Sequence, residues 1–216
     1  MFEKPPQNLR REAPRQETER ERKARLGLES EWTIVSPIFN ELKEAGVFLY
    51  TKHTTPIVDR EKGVDFVWGL KDGSHLAVQI SLGESPKTWE KKIDQVIGEM
   101  GGRPYEELKD IHPEPDSLKR MARIEKTPKI LLKLDWEMVN NAYRAFEKAG
   151  GKGSPFDFLP AKKEIGGDIL SQALNILDHL SLDKEVAKRF PDLPALAKQR
   201  REVLGKSALE FLNKRV

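Results

Sequence analysis

The sequence predicts an α/β fold: a helix, a three-strand meander, a second helix, a fourth strand and then further helices. Three observations carry this. Residues 63–82 alternate apolar and polar side chains on either side of Asp72-Gly73, the pattern of a β-hairpin. Residues 129–134 form a nearly continuous apolar run of strand length. Before, between and after these stretches, apolar residues recur at helical spacing.

Taken in order, residues 1–29 hold Pro5-Pro6, Arg10-Arg11 and a mixed-charge run with almost nothing apolar. Such a segment cannot bury enough surface to offset its ordering entropy, so a disordered charged tail is expected, transiently helical through its neighbouring opposite charges. Its acids nearly cancel its bases, which favours a solvated extension over an arm that touches nucleic acid or a partner. The first packed element is 31–45, where Ile34, Val35, Ile38 and Leu42 recur at helical spacing and Gly46 ends the run. Pro37 is expected to kink or restart this helix, with Ser36 as its N-cap. Glu31 shares the stripe of Val35, Ile38 and Leu42. A carboxylate there has two readings, the favourable helix dipole of a first turn or a place in a site. Residues 46–51 then read as a strand, and 53–62 as the loop into the hairpin.

In the hairpin, Val64, Phe66, Trp68 and Leu70 are expected on one face of the first strand, and Leu76, Val78, Ile80 and Leu82 on one face of the second. The opposite face then carries Asp65, His75, Gln79 and Ser81, a polar set in which chemistry suggests itself. Ser85 and Pro86 start a helix whose stripe is Trp89, Ile93, Val96, Ile97 and Met100, with Lys87 and Lys91 near its beginning. Residues 103–127 hold prolines and mixed charge and read as a loop, with a short helix near 118–121. The strand 129–134 follows, and Asp135 caps a helix with the face Val139, Ala142, Tyr143 and Phe146. Two more helical segments, 169–180 and 193–213, end the chain. About fifty residues make a marginal core alone, so 161–216 is expected as an accessory helical layer on an α/β core spanning 30–160.

Composition narrows the function classes. With 216 residues, 38% hydrophobic and 34% charged, the chain can bury one good core. The net charge of +3 leans only weakly toward polyanionic partners, because acids offset bases along the same helices. Zero cysteines exclude a disulfide framework, a thiolate metal site and a cysteine nucleophile. The charged N-terminus has no apolar stretch behind it and no run reaches spanning length, so neither signal peptide nor membrane association is expected, and the cytoplasm is the expected location. The sequence contains no phosphate loop, dinucleotide fingerprint or paired-histidine metal motif, and its four histidines are scattered.

The element order, with Gly63-Val64-Asp65 on one strand and Gln79-Ile80-Ser81 on the next, resembles the PD-(D/E)XK nuclease superfamily, the restriction-endonuclease-like fold. Its core is a helix, a three-strand meander, a helix and a fourth strand. In that family the second strand carries an Asp, and the third an acid or Gln two positions before a Lys. The resemblance covers roughly residues 31–135. It implies Asp65 and Gln79 as metal-binding residues, joined by Glu31 from the first helix, and Mg or Mn as the ion.

Phosphodiester hydrolysis uses a hard divalent cation held by oxygens, to activate water and to stabilise charge on phosphorus and the leaving oxygen. Here Gln79 supplies only a neutral carbonyl oxygen. Ser81 stands where the family places its lysine, and Lys87 or Lys91 is the expected substitute at the start of the next helix. The resemblance thus implies a divergent metal-dependent nuclease, an endonuclease or exonuclease hydrolase acting on DNA or RNA. The alternative is a catalytically degenerate module of the same fold that binds nucleic acid or a protein partner. Gln79 and Ser81 read equally as a polar face packed under a helix with its hydrogen bonds satisfied.

Overall fold

The computed structural model describes residues 18–54, 63–82, 105–108 and 125–213. A long helical segment opens the fold as α1 (Glu19–Ser30), a π-helical turn (Glu31–Val35) and α2 (Ser36–Glu44). The start at Thr18 is a capping box: the Thr18 hydroxyl accepts the Glu21 N–H at 3.2 Å, and the Glu21 carboxylate accepts the Thr18 N–H at 2.9 Å. The charged stretch expected as a disordered tail is therefore helical from Glu19 onward, while residues 1–17 lie outside the described residues. Composition missed this because one apolar side chain is enough to dock the helix. Leu26 is fully buried in the core, and Arg22 bonds Asn140 at 3.2 Å and Glu147 at 3.1 Å.

The α-helix restarts at Pro37 as expected, α2 beginning at Ser36 with the proline in its first turn, but Ser36 is a helical residue and not the cap. A proline ring clashes with the carbonyl four residues back and offers no N–H. The chain absorbs both effects by widening the turn just before it: Ser36 N–H bonds the Glu31 carbonyl, the i→i+5 pattern of a π-turn. The Thr33 carbonyl, four residues before Pro37, accepts the Ser154 hydroxyl at 3.4 Å.

The sheet is mixed. Strands β1 (Tyr50–His53), β2 (Phe66–Gly69) and β3 (His75–Leu82) form an antiparallel meander, and β5 (Glu125–Leu134) lies parallel to β3, with Ala77–Leu82 in register with Lys129–Leu134. Strand β4 (Tyr105–Leu108) extends the order to β1-β2-β3-β5-β4 by pairing with the first residues of β5. This strand and the early start of β5 fall where the prolines and mixed charge of residues 103–127 gave the expectation of a loop. Pro128 stands at the junction where β5 leaves β4 and begins to pair with β3. The helix expected at 85–102 and the short one near 118–121 lie outside the described residues.

The Asp72-Gly73 turn forms as expected. Gly73 has φ +80°, and the Ser74 N–H and hydroxyl both donate to Asp72 Oδ1, at 3.0 and 2.5 Å. At the other end of β2 the pattern breaks. Val64 packs not with Phe66 but with Val67 and Ala77 in a separate cluster. The cause is a β-bulge: Phe66 is the register partner of Val78, and the Asp65 N–H also bonds the Val78 carbonyl at 2.9 Å, so two residues face one and the alternation slips.

After β5, Asp135 caps α3 (Trp136–Lys148), its Oδ1 accepting the Met138 N–H at 2.7 Å, and Val139, Ala142 and Tyr143 are buried as expected. A short 3-10 turn (Pro155–Phe158) leads to α4 (Lys162–Leu182), α5 (Lys184–Arg189) and α6 (Leu193–Asn213). Helices α4 and α6 pack on each other and on β5. Leu170, Leu177 and Leu204 belong to the same buried cluster as Phe39, Phe66 and Ile130. Gly166 marks the closest approach of α4 to α2, since a Cβ there would lie 3.2 Å from Leu42 Cδ2. Gln172 caps the outer edge of β5 as a strand would, accepting the Lys133 N–H at 2.8 Å and donating to its carbonyl at 3.2 Å. No helix among the described residues is long and apolar enough to cross a membrane.

Two outcomes test this packing. Tyr50 lies across Gly69, where a Cβ would sit 2.3 Å from the ring, so Gly69→Ala should lower unfolding stability by about 1–3 kcal/mol in denaturant titrations. In Tyr50→Ala, which removes the ring, the same substitution should cost much less. Deleting 161–216 strips the cover from β5 and α2, so the remaining chain should lose cooperative unfolding and solubility. A soluble truncation that unfolds cooperatively would show instead that the terminal helices are dispensable for the core.

Candidate functional site

The π-turn and the bulge lie at one end of the meander, and the side chains they carry meet at His53. His53 is the last residue of β1 and pairs with Phe66, so it stands on the face that Thr51, paired with Trp68, shares with the core. Its Nδ1 lies 3.0 Å from the Thr54 carbonyl and its Nε2 lies 3.1 Å from Glu31 Oε2. Both partners are acceptor oxygens, a carbonyl and a carboxylate, an arrangement that favours a proton on each ring nitrogen. The pair is mostly covered, with 16% of the His53 and 18% of the Glu31 side chain exposed. Burial pulls the His53 pKa down. The bonds to Glu31 and Thr54, together with the fields of Glu31 and Asp65, outweigh it and raise the pKa above the ordinary imidazole value.

Two rings hold the imidazole in place. Trp32, on the π-turn beside Glu31, stacks on it with centroids 4.0 Å apart and planes 13° from parallel, and Phe66 meets it edge-on at 4.6 Å. Thr54 ties the same end of β1 to the bulge. Its N–H bonds the Asp65 carbonyl at 2.9 Å, and its hydroxyl donates to the Val64 carbonyl.

Asp65 is buried, at 6% exposure, and its Oδ2 accepts the Ile80 N–H at 2.5 Å. The bulge is what turns the carboxylate toward β3. Gln79 is half-buried, and its amide lies over the backbone of Gly63: a Cβ at Gly63, whose φ is +58°, would come within 3.2 Å of Gln79 Nε2. Ser81 is 1% exposed, in register with Lys133 of β5, and so is closed off from solvent. Lys87 and Lys91 lie outside the described residues.

The structure thus brings Glu31 and the field of Asp65 together at His53, and leaves Gln79 on Gly63. As they stand, these donors do not fit a divalent cation. One oxygen of Glu31 is committed to His53, one oxygen of Asp65 to an amide, and among the described residues no group of three His, Cys, Asp or Glu is placed to hold an ion. Sequence reading missed His53 and Trp32. It ended the strand at Thr51, whereas period two carried through to His53 would have put a titratable ring on the core face beside Phe66. A concavity of about 450 Å³ lies between Lys133, Asp135, Met138 and Gln172 at the end of β5, two strands away from Asp65.

Comparisons of the chain with protein-family models, with curated proteins and with solved structures find no match.

The ion pair has a signed pH dependence. Because the folded-state pKa of His53 lies above the unfolded value of about 6.5, its stabilisation is complete below that value and is lost as pH rises through the folded pKa. Unfolding free energy measured across that window should therefore fall for the wild type relative to His53→Gln. A difference between the two chains that does not change with pH would show that the ring is not charged.

Proposed function

We propose that this chain is a restriction-endonuclease-like module that binds nucleic acid, and that in it a fixed histidine, rather than a metal ion, balances the acids at the end of the meander. The observation that carries the reading is the His53–Glu31 contact at 3.1 Å. In the nuclease family which the sequence resembles, the first-helix glutamate and the second-strand aspartate face a divalent cation. Here the corresponding Glu31 faces the His53 ring, and the field of Asp65 acts on the same ring. The element order supports the fold half of the reading: a helix, an antiparallel meander, then a strand parallel to the third. The substituted letters support the functional half. A neutral Gln79 removes one of the charges a cation site uses, and a buried Ser81 cannot activate water at an open site.

The placement of Asp65 beside β3 favours a second reading, a Mg- or Mn-dependent nuclease with Asp65 and Gln79 at the ion and Lys87 or Lys91 as the auxiliary cation. One assay separates the two. Labelled DNA and RNA, single- and double-stranded, are incubated with the full chain in EDTA, Mg or Mn, and both binding and cleavage are followed. The module reading expects binding that weakens with salt, is unchanged by EDTA, and proceeds without cleavage. Cleavage in Mg or Mn that disappears in Asp65→Ala would establish the nuclease instead. Absence of binding to every nucleic acid would overturn both readings.

A further inference from the structure

The exposed aromatic at this site is Trp32. It is 62% exposed, the one aromatic among the large hydrophobic side chains that the described residues leave open to solvent. It is also fixed. One face of the indole lies on His53, which is itself held by Glu31, by the Thr54 carbonyl and by the edge of Phe66. An exposed aromatic on an ordinary helix samples several rotamers and loses that freedom on binding a ligand. A ring already clamped from beneath loses little, so the open face of Trp32 is preorganised.

The open face is flat and apolar, so the ligand it suits is itself a flat ring that stacks. An unpaired nucleobase has this description. In a duplex both faces of each base are already stacked, so the platform discriminates in favour of single strands.

We propose that Trp32, backed by His53, is a stacking platform for an unpaired base of single-stranded DNA or RNA. This rests on the nucleic-acid reading above and adds to it the strandedness of the ligand. Its place on the π-turn gives the geometry a reason, because the widened turn carries Glu31 and Trp32 side by side, the one bonding the rim of the imidazole and the other covering its face.

The test measures affinity of the full chain for a short labelled oligothymidine, for an abasic strand of the same length and for a duplex, by fluorescence anisotropy. Trp32→Ala should weaken oligothymidine binding roughly 5- to 150-fold, the range of one base stacked on an aromatic, and should leave the abasic strand unchanged. Trp32→Phe should recover most of the loss. Oligothymidine should also quench indole emission in the wild type and not in Trp32→Phe, a readout that needs no destabilising substitution. Equal oligothymidine affinity in wild type and Trp32→Ala would overturn the platform and leave the nucleic-acid reading standing. Equal losses for the oligothymidine and the abasic strand would overturn it too, by showing that the ring acts only through the fold. A wild-type chain that binds no nucleic acid would overturn platform and parent reading together.

Discussion

Two residues of β2 face one residue of β3, and the rest of the site depends on that extra residue. Without the bulge at Asp65 and Phe66, strict alternation would hold Val64 with Phe66 against the helices and Asp65 on the far face. With it, Val64 moves to the cluster with Val67 and Ala77, and the carboxylate of Asp65 reaches the Ile80 amide. A bulge leaves a residue out of the ladder, and a loose strand end would cost backbone hydrogen bonds. Here those groups are used. Val78 accepts from Asp65, and the carbonyls of Val64 and Asp65 accept from Thr54.

The helix facing the bulge carries an irregularity of the same kind. Each is one residue too many in a regular ladder, and each stands where a special group must be aimed. In the helix the cause is visible in the letters, since Pro37 cannot close an ordinary turn and the π-turn before it does so. In the strand no single residue demands the bulge; it is sustained by the bonds of Thr54 and Asp65. His53 is where the two elements meet, and its two hydrogen bonds run to the helix and to the backbone of its own strand end.

How much of this was legible in the sequence follows from which forces act locally. The Asp72-Gly73 turn, the Asp135 cap and the stripe of α3 rest on interactions within a few residues, and they read correctly. The parallel placement of β5 beside β3 was half legible: its apolar run marked a buried strand, but the pairing at 125–128 lies in a polar, charged stretch without strand periodicity. Helix α1 was illegible because its stability is tertiary. Its own residues are charged, and what orders it is Leu26 in the core and Arg22 on α3. The site was legible in its acids and not in its cation. Asp65 and Glu31 stood out as carboxylates in apolar surroundings, whereas His53 acquires its meaning only when β1 is laid beside β2.

The acids at the end of the meander are partnered within the protein: His53 bonds Glu31, and the Ile80 amide bonds Asp65. A buried carboxylate left without such partners costs several kcal/mol. Gln79 and Ser81 beside them add no charge. The His53–Glu31 pair is partly exposed, so the attraction across its 3.1 Å contact contributes far less than the dry-interior Coulomb value. Its larger effect is geometric. By fixing the imidazole from two sides, it supports the indole stacked on it and leaves a flat aromatic surface open to solvent.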